Sequence, residues 1–371
     1  MIERLDGKTS RISSHINSGA ALFVVAAIIY IAFATYLYQP YFKNFDKILY
    51  LLVANSFLAS LGCYVLSRRW VAGFTESFFA GAIYGFGPFT LGLAKFHPSA
   101  GLLVAALPWL FCPAVFGPKT RWKLLRVPLS VLPFVAIVLF FKISAHYHLY
   151  PVPIKLKLHT DDLLGLLAPL VSAKRQMTLV GFYHIPMAAL TMGFSMLFAP
   201  IEMLCMGDIH QKGKYLTGLV TRRFGIIAIF VIGTILAFCD SVFGVSPVIW
   251  LAISILCSSI LIGAGMQGLI CAGFADRKWI LFDVIVMGAL AIATLLLATE
   301  SFQIFAGLAE DTAKLFTEAA KIYILGAIVV AVIFFMAHTK LLMRPLRQVV
   351  LCAAMTIDIF LGARFVVDII F

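Results

Sequence analysis

Residues 247–273 read PVIWLAISILCSSILIGAGMQGLICAG and contain no charged side chain. A helix rises about 1.5 Å per residue, so about 20 apolar residues cross the roughly 30 Å hydrocarbon core of a bilayer. This stretch is therefore long enough to span a membrane. Apolar residues make up 62% of the whole chain and the mean hydropathy is +1.01, far above a typical globular composition.

The same apolar character recurs along the chain and predicts eleven spans. They lie near residues 18–39, 46–66, 72–94, 98–116, 127–143, 183–205, 224–244, 247–273, 279–299, 320–338 and 348–371. The predicted fold class is all-α, a polytopic integral membrane protein. We expect one membrane domain, 1–371, in which residues 18–143 hold the first five spans and residues 183–371 the last six.

Basic residues alternate from one connection to the next. Of the 29 lysines and arginines, 18 fall in every second connection, beginning with the N-terminal segment. Short basic loops stay cytoplasmic during insertion, so the N-terminus is predicted to be cytoplasmic. Basic cytoplasmic loops account for the net charge of +12, and these loops also attract anionic membrane lipids. No nucleic-acid-binding motif accompanies it, so a nucleic-acid partner is not expected.

The longest connection, residues 144–182, is predicted to face outward with a short interfacial helix. Four cations in this outer loop could hold phosphates: Lys155, Lys157, Lys174 and Arg175. Asp161 and Asp162 could act as a base or as ligands of a divalent metal. The alternative is that Thr160 caps the helix, both aspartates sit in its first turn, and the cations contact lipid headgroups. The sequence identifies no cofactor and no defined metal site.

A glycine-rich stretch covers residues 78–116. The pair Gly87-Pro88 should break the third span because proline lacks an amide hydrogen and clashes with the preceding turn. Lys95 and His97 then lie at the outer turn. A broken helix inside a membrane must be lined by protein or water. We therefore expect an outward-opening cavity near Pro88 and His97; the alternative is a packing kink.

Several charged residues fall inside predicted spans, where they need partners. Asp358 is the deepest and is a candidate for proton-coupled transport or for a structural pair with Arg364. Arg364 and Asp368, spaced i and i+4, can also pair with each other. Asp283 lies one turn from the basic pair at 277–278, which predicts an ion pair at the membrane interface.

The run GAIYGFGPFTLG at 81–92, the histidine after it and the span ending in LPWL resemble the third and fourth helices of GT-C-fold membrane glycosyltransferases. The match is similar to the polyprenyl-phosphate-sugar-dependent branch related to YfhO-type proteins, and residues 247–300 are similar too. The resemblance implies transfer of a sugar from a lipid-phosphate carrier at the outer face, in an envelope pathway of the bacterial inner membrane.

The chain departs from this family in its first outer connection, which runs only from Gln39 to Phe45 instead of forming a long acidic loop. By position, Asp46 would take the acidic catalytic role. The alternatives are a non-catalytic scaffold subunit with a membrane-complex partner, or a proton-coupled transporter.

Overall fold

The computed structural model describes residues 3–44, 47–71, 73–116, 126–147, 152–153, 156, 158–172, 180–205, 225–273, 276–304, 310–337 and 343–371. Within these ranges, side chains are described except at 3–18, 43–44, 47, 126–127, 160–161, 170, 172, 197–205, 301–304 and 310–311.

The described chain is helical, without strands. The helices are α1 Glu3–Tyr38, α2 Lys47–Ser67, α3 Phe74–Phe86, α4 Pro88–Phe96, α5 Pro98–Phe116, α6 Arg126–His146, α7 Leu164–Leu167, α8 His184–Cys205, α9 Gly225–Phe238, α10 Pro247–Cys271, α11 Arg277–Ile304, α12 Glu310–Met336 and α13 Arg344–Ile370.

Within the described ranges, nine helices are long and apolar enough to cross a membrane, with α3 and α4 counted together as one. This confirms a polytopic, all-helical architecture. The two other predicted spans coincide with α8, which has 22 residues, and with α9, which is a shorter apolar helix. The total of eleven and the cytoplasmic N-terminus stay predictions.

Helix α10 lies at the centre of the bundle and all of its apolar length is buried. It packs most extensively on α8 and α3, and also contacts α2, α5 and α13. A helix that is apolar on every side can lie in lipid or at the centre of a protein, and α10 occupies the central position.

The two ends of the bundle differ in chemistry. At the end that we call the basic end, Arg347 donates a 2.7 Å hydrogen bond to the carbonyl of Ala272, which joins α13 to the end of α10. At the opposite end, the loop end, the 144–182 segment packs on the bundle: the amide of Leu158 donates to the carbonyl of Ala237. These contacts place the end of α10 beside the start of α13 and bring the long loop to the other end of the bundle.

The described part of the long loop forms three short turns instead of one interfacial helix. They are the 3-10 turn Thr160–Leu163, α7 and the 3-10 turn Pro169–Ser172. Gly165 and Ala168 are buried, so this part of the loop packs inward against protein.

Candidate functional site

The third span is broken at Gly87, as the sequence predicted. Gly87 has extended backbone angles, φ −68° and ψ 154°, and Pro88 opens α4. Proline has no amide hydrogen, so the carbonyl of Tyr84 loses its helical donor. The hydroxyl of Thr90 replaces it with a 2.6 Å hydrogen bond to that carbonyl. A break near the middle of a span is thus satisfied by a side chain of the next turn.

A second carbonyl at the break is satisfied from across the bundle. Phe86 is the last residue of α3, so its carbonyl has no partner within the helix. The hydroxyl of Tyr183 donates a hydrogen bond to it. Tyr183 arrives there on a non-helical segment that passes through Gly181, whose φ is +140°. A Cβ at Gly181 would collide with the carbonyl of Gly165. The loop can therefore turn into the bundle only with glycine at this position.

Directly after Tyr183, helix α8 begins against a buried carboxylate. Asp358 lies near the middle of α13, 14 residues after Arg344 and 12 before Ile370. One carboxylate oxygen accepts a 2.7 Å hydrogen bond from the amide of Ile185. The other lies 3.4 Å from Nδ1 of His184. The positive end of the α8 dipole stabilises a negative charge at this point.

The contact with Asp358 favours one orientation of the His184 ring. A carboxylate accepts hydrogen bonds, so it can accept one from Nδ1, and in that neutral tautomer the lone pair is on Nε2. Nε2 is buried and has no hydrogen-bond partner in the described part of the chain. Tyr323 holds the ring edge-on, with the two ring centroids 4.8 Å apart. In the neutral tautomer with the proton on Nδ1, Nε2 can accept a hydrogen bond from a bound hydroxyl group.

His184 lines a cavity of about 390 Å³ between α12, α13 and the long loop. Its walls are otherwise almost entirely apolar, and Ala168 and Pro169 contribute the loop side. Leu361 and Phe365 form part of its rim and are 55% and 46% exposed, on helices that span the membrane. The volume is within the usual range for a small-molecule site. The cavity therefore suits an apolar chain that enters sideways from lipid.

Glu318 is the one acidic side chain among the described residues that line the cavity. It is well exposed and pairs with Lys321, whose ammonium lies 2.6 Å from its carboxylate. Because α12 begins at the loop end, this ion pair lies nearer that end than Tyr323 does. The cavity thus has a charged mouth and a deeper His184–Asp358 pair.

Most residues of the predicted catalytic and phosphate-binding positions lie outside the described residues. These are Asp46, Lys155, Lys157, Lys174 and Arg175, and the side chain of Asp161 is likewise not described. Asp162 is buried, and its carboxylate accepts a 2.7 Å hydrogen bond from the amide of His159. That contact supports the helix-capping alternative for Asp162.

The predicted cavity near His97 differs from the one beside His184, whose lining includes neither Lys95 nor His97. The ammonium of Lys95 lies 3.3 Å from the ring centroid of Phe371. His97 is half-buried between α4 and α5, and burial lowers the pKa of its imidazole. The helix break was predicted correctly, and the cavity near His97 stays a prediction.

Two predicted ion pairs need correction and one is confirmed. Arg364 binds Asp368 at 2.9 Å, as the i, i+4 spacing predicted. The pair of Arg364 with Asp358 is wrong, because Asp358 binds His184 and the start of α8 instead. The pair of Asp283 with the basic turn is also wrong. Asp283 is fully buried on α11, and neither carboxylate oxygen has a hydrogen-bond partner among the described residues.

The described residues contain no group of three side chains that could hold a metal ion. No protein-family model, curated protein or solved structure matches this chain. The site is therefore interpreted from its own geometry.

Sequence reasoning missed His184 and Tyr183. His184 lies near the end of a predicted span, where a histidine is ordinary. The usable signal is the tetrapeptide GFYH at 181–184, which Ile185 and Pro186 follow. It combines a glycine, two aromatic rings and an imidazole at the start of a helix.

Proposed function

We propose that this protein binds a lipid-linked substrate in the cavity beside His184 and transfers its head group to an acceptor at the loop end. The specific reaction is sugar transfer from a polyprenyl-phosphate carrier, and the loop end faces outward. One observation carries the proposal: a buried imidazole nitrogen without a partner, held by a carboxylate, lines an apolar cavity that opens between two spans. Unpartnered buried polar groups are uncommon, and a catalytic role is one explanation for such a group.

In this reaction, Nε2 of His184 takes the proton of an acceptor hydroxyl. The acceptor oxygen forms a bond to the anomeric carbon, and the bond from that carbon to the phosphate oxygen breaks. Polyprenyl phosphate leaves with the bonding electrons, and Asp358 stabilises the imidazolium that has formed. Cations are required near the phosphate, the role that the sequence suggests for Lys155, Lys157, Lys174 and Arg175.

The test uses purified full-length protein in nanodiscs with a polyprenyl-phosphate hexose and a membrane glycolipid extract as acceptor. Release of polyprenyl phosphate is followed by mass spectrometry. His184→Gln should lower the rate by about 10²-fold or more, the usual contribution of a general base. Glu318→Gln changes the same cavity at its mouth and should keep most of the rate.

The same assay separates this site from the loop carboxylates. Asp46→Asn and the double variant Asp161→Asn/Asp162→Asn remove the acids that the sequence suggested. If those variants abolish turnover while His184→Gln keeps it, the loop supplies the base and the cavity assignment is wrong. If every variant retains full turnover, the enzyme assignment itself is wrong and the scaffold alternative is favoured.

A proton-coupled transporter is the second candidate. Two interrupted backbone segments, at Gly87 and before His184, meet deep in the bundle beside a buried carboxylate–histidine pair. Discontinuous helices around a central site are typical of secondary transporters. Proteoliposomes with an internal pH-sensitive dye would show substrate-dependent proton entry if this candidate is right. Asp358→Asn would abolish it, and the polyprenyl-phosphate sugar would stay intact.

A further inference from the structure

A second cavity, of about 470 Å³, lies at the basic end of the bundle. Its walls come from the ends of α2 and α5 and the starts of α6 and α9. Leu256, Cys257 and Ile260 of the central helix α10 line it as well. This second cavity is separate from the cavity beside His184, which lies between α12 and α13.

The second cavity extends from its mouth into one leaflet of a bilayer. A Cβ on Gly263 of α10 would lie 3.4 Å from Val71, so this level of α10 adjoins the residue that follows Trp70. Leu256 lies seven residues before Gly263, which corresponds to about 10 Å at about 1.5 Å per residue. Half of the hydrocarbon core is about 15 Å, so the cavity can hold part of one acyl chain.

The mouth of this cavity carries a cation and an interfacial aromatic ring. Arg69 and Trp70 follow directly after α2 and are both half-buried. The guanidinium of Arg69 makes no hydrogen bond or ion pair within the described part of the chain. Arginine binds phosphate with two parallel hydrogen bonds, and tryptophan favours the headgroup level of the membrane.

We propose that this cavity is a binding site for an anionic phospholipid of the leaflet at the basic end. One acyl chain lies along Ile260, Cys257 and Leu256, and the lipid phosphate binds the guanidinium of Arg69. The apolar wall alone would accept any lipid, and the cation at the mouth selects a negatively charged headgroup. The proposal is independent of the function assigned to the His184 cavity.

The test is native mass spectrometry of delipidated full-length protein with added phosphatidylglycerol or phosphatidylcholine of identical acyl chains. Wild-type protein should retain phosphatidylglycerol at lower lipid concentration. Arg69→Gln should weaken that retention about tenfold, which corresponds to about 1.4 kcal/mol. Arg68→Gln is the matched control: Arg68 is adjacent, exposed and absent from the cavity wall, so the preference should persist.

Two further variants test the proposal if Arg69→Gln does not fold. Arg69→Lys keeps the charge and should retain most of the preference. Ala114→Phe fills the cavity without changing charge and should reduce retention of both lipids. Equal retention of the two lipids by wild-type protein would overturn the proposal. So would equal losses in the Arg68 and Arg69 variants, or unchanged retention in Ala114→Phe.

Discussion

The hydrogen bond from Tyr183 to the carbonyl of Phe86 should contribute more to stability than an ordinary bond between helices. The carbonyl lies at the end of α3, where no helical donor reaches it, and it is enclosed by protein. Tyr183→Phe removes the donor but keeps the ring, which packs on Gly362. An enclosed acceptor left without a partner costs about 1–3 kcal/mol, so we expect the free energy of unfolding to fall by that amount.

Tyr30→Phe provides a matched control. The Tyr30 hydroxyl donates a 2.6 Å hydrogen bond to the carbonyl of Phe78, and Tyr30 is as buried as Tyr183. Phe78 lies inside α3, however, so its carbonyl keeps a helical donor when the hydroxyl is removed. The loss should be about 0.6 kcal/mol, the average for a hydrogen bond between membrane helices.

Reversible unfolding in mixed detergent and dodecyl sulfate micelles gives both free energies directly. The expected result is a loss for Tyr183→Phe at least twice that for Tyr30→Phe. Equal losses would refute the argument, because they would mean that the carbonyl at the break finds another donor, such as water. A smaller loss for Tyr183→Phe than for Tyr30→Phe would refute it more strongly.

Three other changes test separate features. Gly181→Ala places a Cβ against a loop carbonyl at a φ of +140° and should lower the free energy of unfolding by about 1–3 kcal/mol. Gly244→Ala is the control, because Gly244 also has a positive φ but has open space around it, and it should cost less. Equal losses in the two variants would show that the collision is not the cause. Asp283→Leu should raise the thermal midpoint at neutral pH by the equivalent of about 1–3 kcal/mol, because it replaces a fully buried carboxyl group that has no hydrogen-bond partner among the described residues with an apolar side chain of similar size. A lower midpoint would show that a polar group is needed there. The membrane orientation can be tested by cysteine labelling. Tyr147→Cys in a cysteine-free background should react with an impermeant maleimide added outside, and a variant that retains only Cys271 should not. The reverse labelling pattern would show that the predicted orientation is wrong.

Local features of this fold could be predicted from the sequence. The break at Gly87 follows from the missing amide of Pro88, and the Arg364–Asp368 pair follows from helical spacing. Each depends on residues within one turn of each other. The all-helical membrane class likewise follows from the length and apolarity of each stretch.

The candidate site could not be predicted in this way, because its parts come from distant segments. His184 and Asp358 are 174 positions apart. Their contact depends on the loop turning inward at Gly181, and the cavity depends on the gap between α12 and α13. Neither leaves a periodic pattern in the sequence. The ion pair expected for Asp283 failed for a related reason: spacing along one helix does not tell which face its neighbour covers.

The enclosed position of α10 has a consequence for biogenesis. In the folded protein, α10 contacts protein on all sides, so its apolar surface does not face lipid. It must nevertheless leave the translocon before α13 has been synthesised, and at that stage lipid covers the side that α13 later occupies. A charged residue at a helix centre costs about 2.5–3.5 kcal/mol on insertion scales. An ionisable substitution on that side should therefore fail at insertion, even where a partner on α13 could neutralise it in the folded state.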